Sequence, residues 1–169
     1  MKYKIYTDGV ADNFIAPHYG GYAWRSIDEN GEFIDGCGFA DNTTGNRMAM
    51  VAIINALGKI QDNSECEVYT NNQYVTYPFG NRDKEYTANS DLIGEFWSVI
   101  DKKHIKCNVV WEKAGTDALL DEMRDLSLGQ FYTVSDRELT DSKKYKNDIR
   151  YHKEINDIIR GRNEIYNKN

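Results

Sequence analysis

The chain has 169 residues, 40% hydrophobic, 12% aromatic and 28% charged, a balance that excludes both a disordered polymer and a membrane-embedded protein. Its net charge of −6 argues against a broad electrostatic grip on nucleic acid, because phosphate binding is normally driven by clustered Lys and Arg. The acid is unevenly placed: residues 1–129 hold 12 Lys+Arg against 20 Asp+Glu, whereas residues 130–169 carry a balance of +2.

No run approaches the ~18 apolar residues of a membrane span, and the opening Met1-Lys2-Tyr3-Lys4 enters a strand-like pattern without a signal peptide's apolar stretch. A cytoplasmic address with no membrane contact is expected. Cys37, Cys66 and Cys107 form no CxxC pair and no metal-ligand spacing, so they are expected to be reduced, buried thiols.

Tyr3 to Thr7 alternates and meets Asp8-Gly9, which reads as a first strand closing on a turn. Gly20 to Ser26 and Glu32 to Phe39 are two more strands, joined by the polar Asp28-Glu29-Asn30-Gly31 turn into an antiparallel meander. Thr43 or Thr44 can cap a helix running to about Ile60, with Met48, Val51, Ala52, Ile54, Leu57 and Ile60 spaced to bury a broad face. Cys66 to Thr70 is a fourth strand. Because a helix precedes it, it can return parallel to the first, which makes the sheet mixed. A short helix begins at Gln73 and stops near Pro78, and Ser90 is expected to cap a helix carrying Ile93, Phe96, Trp97 and Ile100. Lys106 to Trp111 gives a fifth strand, and Thr116 to about Leu128 a closing helix.

This organises the chain as one α/β domain over 1–128 and an extension over 129–169. In the extension, a linker-like stretch leads to a charged helix from Ser142 to about Tyr166, with Tyr145, Ile149, His152, Ile155 and Ile159 near one face. That stripe needs a neighbour: its own domain, a protein partner or, less suited to its interleaved acids, nucleic acid.

Five segments in this order resemble the ribonuclease H family over residues 3 to 128. They are Tyr6-Thr7-Asp8-Gly9, Gly20-Gly21-Tyr22-Ala23, Thr43-Thr44-Gly45-Asn46-Arg47-Met48, Tyr69-Thr70-Asn71-Asn72-Gln73-Tyr74-Val75 and Asp117-Ala118-Leu119-Leu120-Asp121. The resemblance implies a ribonuclease H-like fold: a five-stranded mixed sheet, three strands antiparallel and then two parallel, flanked by helices. It also implies hydrolysis of the RNA strand of an RNA–DNA hybrid by two Mg²⁺ (or Mn²⁺) ions held by four carboxylates.

Two dications about 4 Å apart repel strongly, so several anionic oxygens must converge on them. Asp8 and Asp121 match two of the family's catalytic, metal-binding carboxylates. Ala49 stands where the family has Glu, and Asn71 where it has Asp. A methyl and a neutral amide predict weak metal binding and a catalytically inactive centre. Glu112, Asp117 and Glu122 are neighbours in sequence, but strand alternation and helical rotation leave none obviously aimed at the gap. The segment before the last helix also lacks the family's histidine, since His18, His104 and His152 lie elsewhere.

By the same resemblance Thr44 falls near a phosphate, and Asn46 and Gln73 on positions that read the 2′-hydroxyls of RNA. Arg82 and Lys84 are the only candidates for a basic protrusion in residues 72–100. The expected function is therefore a pseudoenzyme that binds RNA–DNA hybrid or another structured nucleic acid weakly. The alternatives are a hybrid endoribonuclease, with its ligands reassigned or as an inactivated variant, and a protein-interaction module using the C-terminal helix.

Overall fold

The computed structural model describes residues 1–135; the charged helix expected over Ser142 to Tyr166, and with it the proposed protein contact, lies outside the described residues. Five strands, β1 (Lys2–Ala11), β2 (Gly20–Asp28), β3 (Phe33–Ala40), β4 (Glu65–Thr70) and β5 (Lys106–Trp111), form one sheet in the order β3-β2-β1-β4-β5. β1 pairs antiparallel with β2, and β2 with β3, while β4 runs parallel to both β1 and β5. The mixed sheet is the one expected.

Among the described residues three helices flank the sheet: α1 (Gly45–Lys59), α2 (Ser90–Lys103) and α3 (Ala118–Ser135). Strand alternation sorts the two faces. Ile5, Trp24 and Val68 join α1 and α2 through Met50, Ile53, Leu57 and Phe96 in the larger core, whereas Ala23 meets Met123 and Leu126 of α3 in a smaller one. Of the α1 face expected from spacing, Val51 and Ile54 are only half-buried, and Ile53 takes the central place.

Two glycines bring the helices close. A Cβ on Gly9 would lie 2.2 Å from the backbone nitrogen of Ala49 in α1, and one on Gly21 would lie 2.3 Å from the Ser127 carbonyl of α3. Helix backbone thus presses on β1 from the α1 side and on β2 from the α3 side.

Three local expectations are corrected. Asp8-Gly9 is not a turn: β1 continues to Ala11, because Asp8 pairs with Ala23 and Gly9 with Tyr22 across to β2. The closing helix does not stop near Leu128. It continues to Ser135, with Gly129, Gln130 and Phe131 buried. Ser90 does not cap α2; Asn89 holds that position in a left-handed conformation (φ 60°) without a side-chain cap bond. None of the three cysteines is in a disulfide, and only Cys66 is buried; Cys37 and Cys107 are half-buried. Among the described residues no helix is long and apolar enough to cross a membrane.

Candidate functional site

The C-terminal ends of the parallel strands β1 and β4 meet the N-terminus of α1, and α3 lies over the β1 centre. Asp8 is the group at this junction. It is 1% exposed, and neither carboxylate oxygen accepts a hydrogen bond of good geometry from the described residues. Burial pushes its carboxyl up to about 7; the Arg124 guanidinium and the nearby Asn71 and Ser127 side chains pull the other way. Arg124 Nη1 stands 3.9 Å from Asp8 Oδ1, and the Ser127 hydroxyl donates to the Asp8 backbone carbonyl at 3.1 Å.

The structure brings Asn71, just beyond β4, to the Asp8 carboxylate. It sets Ala49, 1% exposed, against β1 at Gly9. Both replaced positions therefore border Asp8. Asp121 lies in the first turn of α3, one turn before Arg124 and Asp125, and no contact among the described residues joins it to Asp8.

Asp125, buried on α3, places a further negative charge near Asp8 that raises its carboxyl, whereas Asp117, Glu112 and Glu122 are engaged elsewhere. Asp117 Oδ1 accepts from the Leu119 N–H (2.8 Å) at the start of α3 and interacts with Glu112, whose carboxyl is raised by burial and then by Asp117. Arg25 draws Glu122 to Asp35, at 3.1 Å from each.

Two Mg²⁺ ions need several hard anionic oxygens converging on one place. Asp8 has the Asn71 amide, the Arg124 guanidinium and the backbone of α1 at Ala49 close by, with Asp125 as a nearby carboxylate. Among the described residues no group of three or more His, Cys, Asp or Glu side chains is arranged to hold a metal ion. The donor set does not fit the two-metal arrangement.

The residues carried over for nucleic-acid contact lie at the same end of the sheet. The Thr44 hydroxyl caps α1 by accepting from the Arg47 N–H at 3.1 Å. Asn46 Oδ1 accepts from Asn72 Nδ2 at 2.9 Å, which ties α1 to the segment after β4. Gln73 is exposed at the start of a single 3-10 turn, Gln73–Thr76. The basic candidates are engaged on their own surface: Arg82 pairs with Asp101 and lies 5.1 Å over the Trp97 ring, and Lys84 lies 5.6 Å from the Tyr86 ring. Arg124, Ser127 and Asn72 were not singled out by sequence reasoning. The signal for Arg124 was its helical spacing from Asp121, three residues on.

A mixed sheet in this order, with α3 laid over the central strand and a buried Asp in that strand, defines a ribonuclease H-like fold. Solved structures agree. The N-terminal RNase H domain of a Mycobacterium tuberculosis protein, solved as a fusion with maltose-binding protein, matches with a TM-score of 0.66 at 14% identity, covering 80% of this chain and 96% of that one. LC11-RNase H1 in complex with RNA/DNA hybrid matches with a TM-score of 0.63 at 22% identity, covering 79% and 99%.

Among curated proteins, the ribonuclease H of Ehrlichia ruminantium is 30% identical over 135 residues, 74% of this chain and 90% of the relative. That of Acetivibrio thermocellus is 31% identical over 113 residues, 66% and 71%. No family model matches the sequence. On the curated relatives' identity and coverage, the chain belongs to the ribonuclease H family.

Proposed function

We infer that this family member binds RNA–DNA hybrid at the α1 and β4 end of the sheet but lacks the carboxylates for two-metal hydrolysis, and acts as a noncatalytic binder. One observation supports this reading: beside the buried Asp8 stand the Asn71 amide and the Arg124 guanidinium, with Asp125 as a nearby carboxylate, and among the described residues no three such acidic or ligating side chains are arranged to hold a metal ion. Asn46 and Gln73 supply amides that can read 2′-hydroxyls in the minor groove of an A-like helix. With the charge balance of residues 1–129 at −8, binding is expected to be weak and salt-sensitive. Mg²⁺ or Mn²⁺ is expected to bind weakly at Asp8.

Hybrid hydrolysis is the second reading. It is favoured by the relatives, which are named ribonuclease H, and by the retention of Asp8 and Asp121.

The test compares wild type with the Ala49→Glu plus Asn71→Asp double variant on a labelled hybrid in Mg²⁺ or Mn²⁺. The inferred function predicts no cleavage by wild type and a gain in the variant; equal cleavage by both refutes it. Retention of hybrid over duplex DNA at low salt, weakened by Gln73→Ala, supports binding. Absence of retention refutes it and leaves a protein-interaction role on the same scaffold.

A further inference from the structure

The loop joining β1 to β2, residues 12–19, carries the most exposed large hydrophobic side chain among the described residues. Phe14 is 93% exposed and Ile15 57%. The tip is held in a defined shape. Asp12 Oδ1 accepts from the backbone N–H of Phe14 at 2.9 Å and of Ile15 at 3.0 Å, and the His18 N–H donates to the Ile15 carbonyl at 2.9 Å.

The loop is also tied to the segment that enters α1. The Asn42 N–H donates to the Pro17 carbonyl at 2.7 Å, the Thr43 N–H to the His18 carbonyl at 3.1 Å, and the Gly45 N–H to Asn13 Oδ1 at 3.4 Å. Asn46 follows directly and bonds Asn72, which precedes Gln73. An apolar tip and the amides of Asn13, Asn46, Asn72 and Gln73 thus succeed one another along one end of the sheet.

Side-chain amides beside a Phe or Ile wedge are the combination with which proteins occupy a nucleic-acid minor groove. Phosphate neutralisation has little to work with here. Of the basic residues at this end, Arg47 is held by both carboxylate oxygens of Asp91, at 3.0 and 2.7 Å, and by Asn89, and Arg124 stands 3.9 Å from the Asp8 carboxylate. Affinity for a hybrid must then come largely from contacts that do not neutralise charge.

We propose that Phe14 and Ile15 enter the wide, shallow minor groove of a bound RNA–DNA hybrid and supply an apolar, salt-insensitive share of its binding. This rests on the hybrid-binding reading above. The test measures binding of a fluorescently labelled hybrid across a salt series by wild type, by the double variant Phe14→Ala plus Ile15→Ser, and by Phe14→Trp.

The double variant is expected to bind roughly ten- to hundred-fold more weakly, the range for loss of an aromatic contact to a base. Its slope of log K against log salt should be unchanged, since no phosphate contact is removed. Its thermal unfolding should match wild type, both side chains being exposed, and Phe14→Trp should bind like wild type. Equal affinity of wild type and double variant overturns the wedge and leaves hybrid binding standing. A loss accompanied by a shallower salt slope, or weak binding by Phe14→Trp, overturns it as well. Absence of binding by wild type at every salt concentration overturns the hybrid reading itself.

Discussion

Asp8→Asn should make the protein more stable at neutral and alkaline pH. The Asp8 carboxyl is 1% exposed and pushed up to about 7 in the folded protein, against about 3.9 in an unfolded chain. A carboxyl whose folded value is raised favours folding in its protonated form. Its stabilising contribution is therefore complete below about pH 4, falls as pH rises, and is fully lost above about pH 7. Roughly three pH units at about 1.4 kcal/mol each place the cost of the buried charge on the order of 4 kcal/mol at pH 8. Asparagine keeps the shape and removes the ionisation. The variant should exceed wild type by that order at pH 8, with the gap closing toward pH 4. Urea denaturation followed by tryptophan fluorescence at several pH values measures it. A variant no more stable than wild type at pH 8, or a gap independent of pH, would refute the claim that Asp8 is buried without adequate charge compensation.

Two further perturbations follow from the same packing. Gly21→Ala places a methyl 2.3 Å from the Ser127 carbonyl and 2.7 Å from the Phe131 nitrogen. Because both are helix backbone, a loss of about 1–3 kcal/mol is expected in a urea melt, and an unchanged midpoint would contradict the close approach of α3 to β2. Arg124→Ala removes a half-exposed cation 3.9 Å from Asp8. It should cost about 1 kcal/mol or less at pH 8 and nothing at pH 5, where Asp8 is protonated; equal losses at both pH values would show that the ion pair is not the cause.

The order of the strands and the central helix were legible because each motif sits on its own element: Thr7-Asp8-Gly9 on β1, Asn46-Arg47-Met48 opening α1, and Thr70-Asn71 closing β4. What misled was local chemistry overridden by packing. Asp8-Gly9 carries a turn signature, yet Gly9 is small so that the backbone of α1 can reach β1. Gly129 suggests a helix end, yet it is buried within α3 as that helix continues over the sheet.

The gaps were legible, since Ala49 and Asn71 border Asp8, but the α3 acid was not: Asp125, one helical turn beyond the expected Asp121, is the α3 carboxylate that acts on Asp8. Nor was Arg124. Between Glu122 and Asp125 it looks like part of a solvated helix face, and only the placement of α3 above β1 turns it toward a buried carboxylate. Phe14 and Ile15 escaped for a related reason. A lone aromatic in a loop says nothing until the loop is seen anchored beside the start of α1.

The carboxylate deficit around Asp8 is tested most directly by anomalous diffraction from crystals soaked in manganese. With an amide at 71 and a methyl at 49, no fully occupied pair of ions is expected beside Asp8, whereas the Ala49→Glu plus Asn71→Asp variant should gain one. A pair of well-occupied manganese sites about 4 Å apart in the wild-type protein would contradict the account.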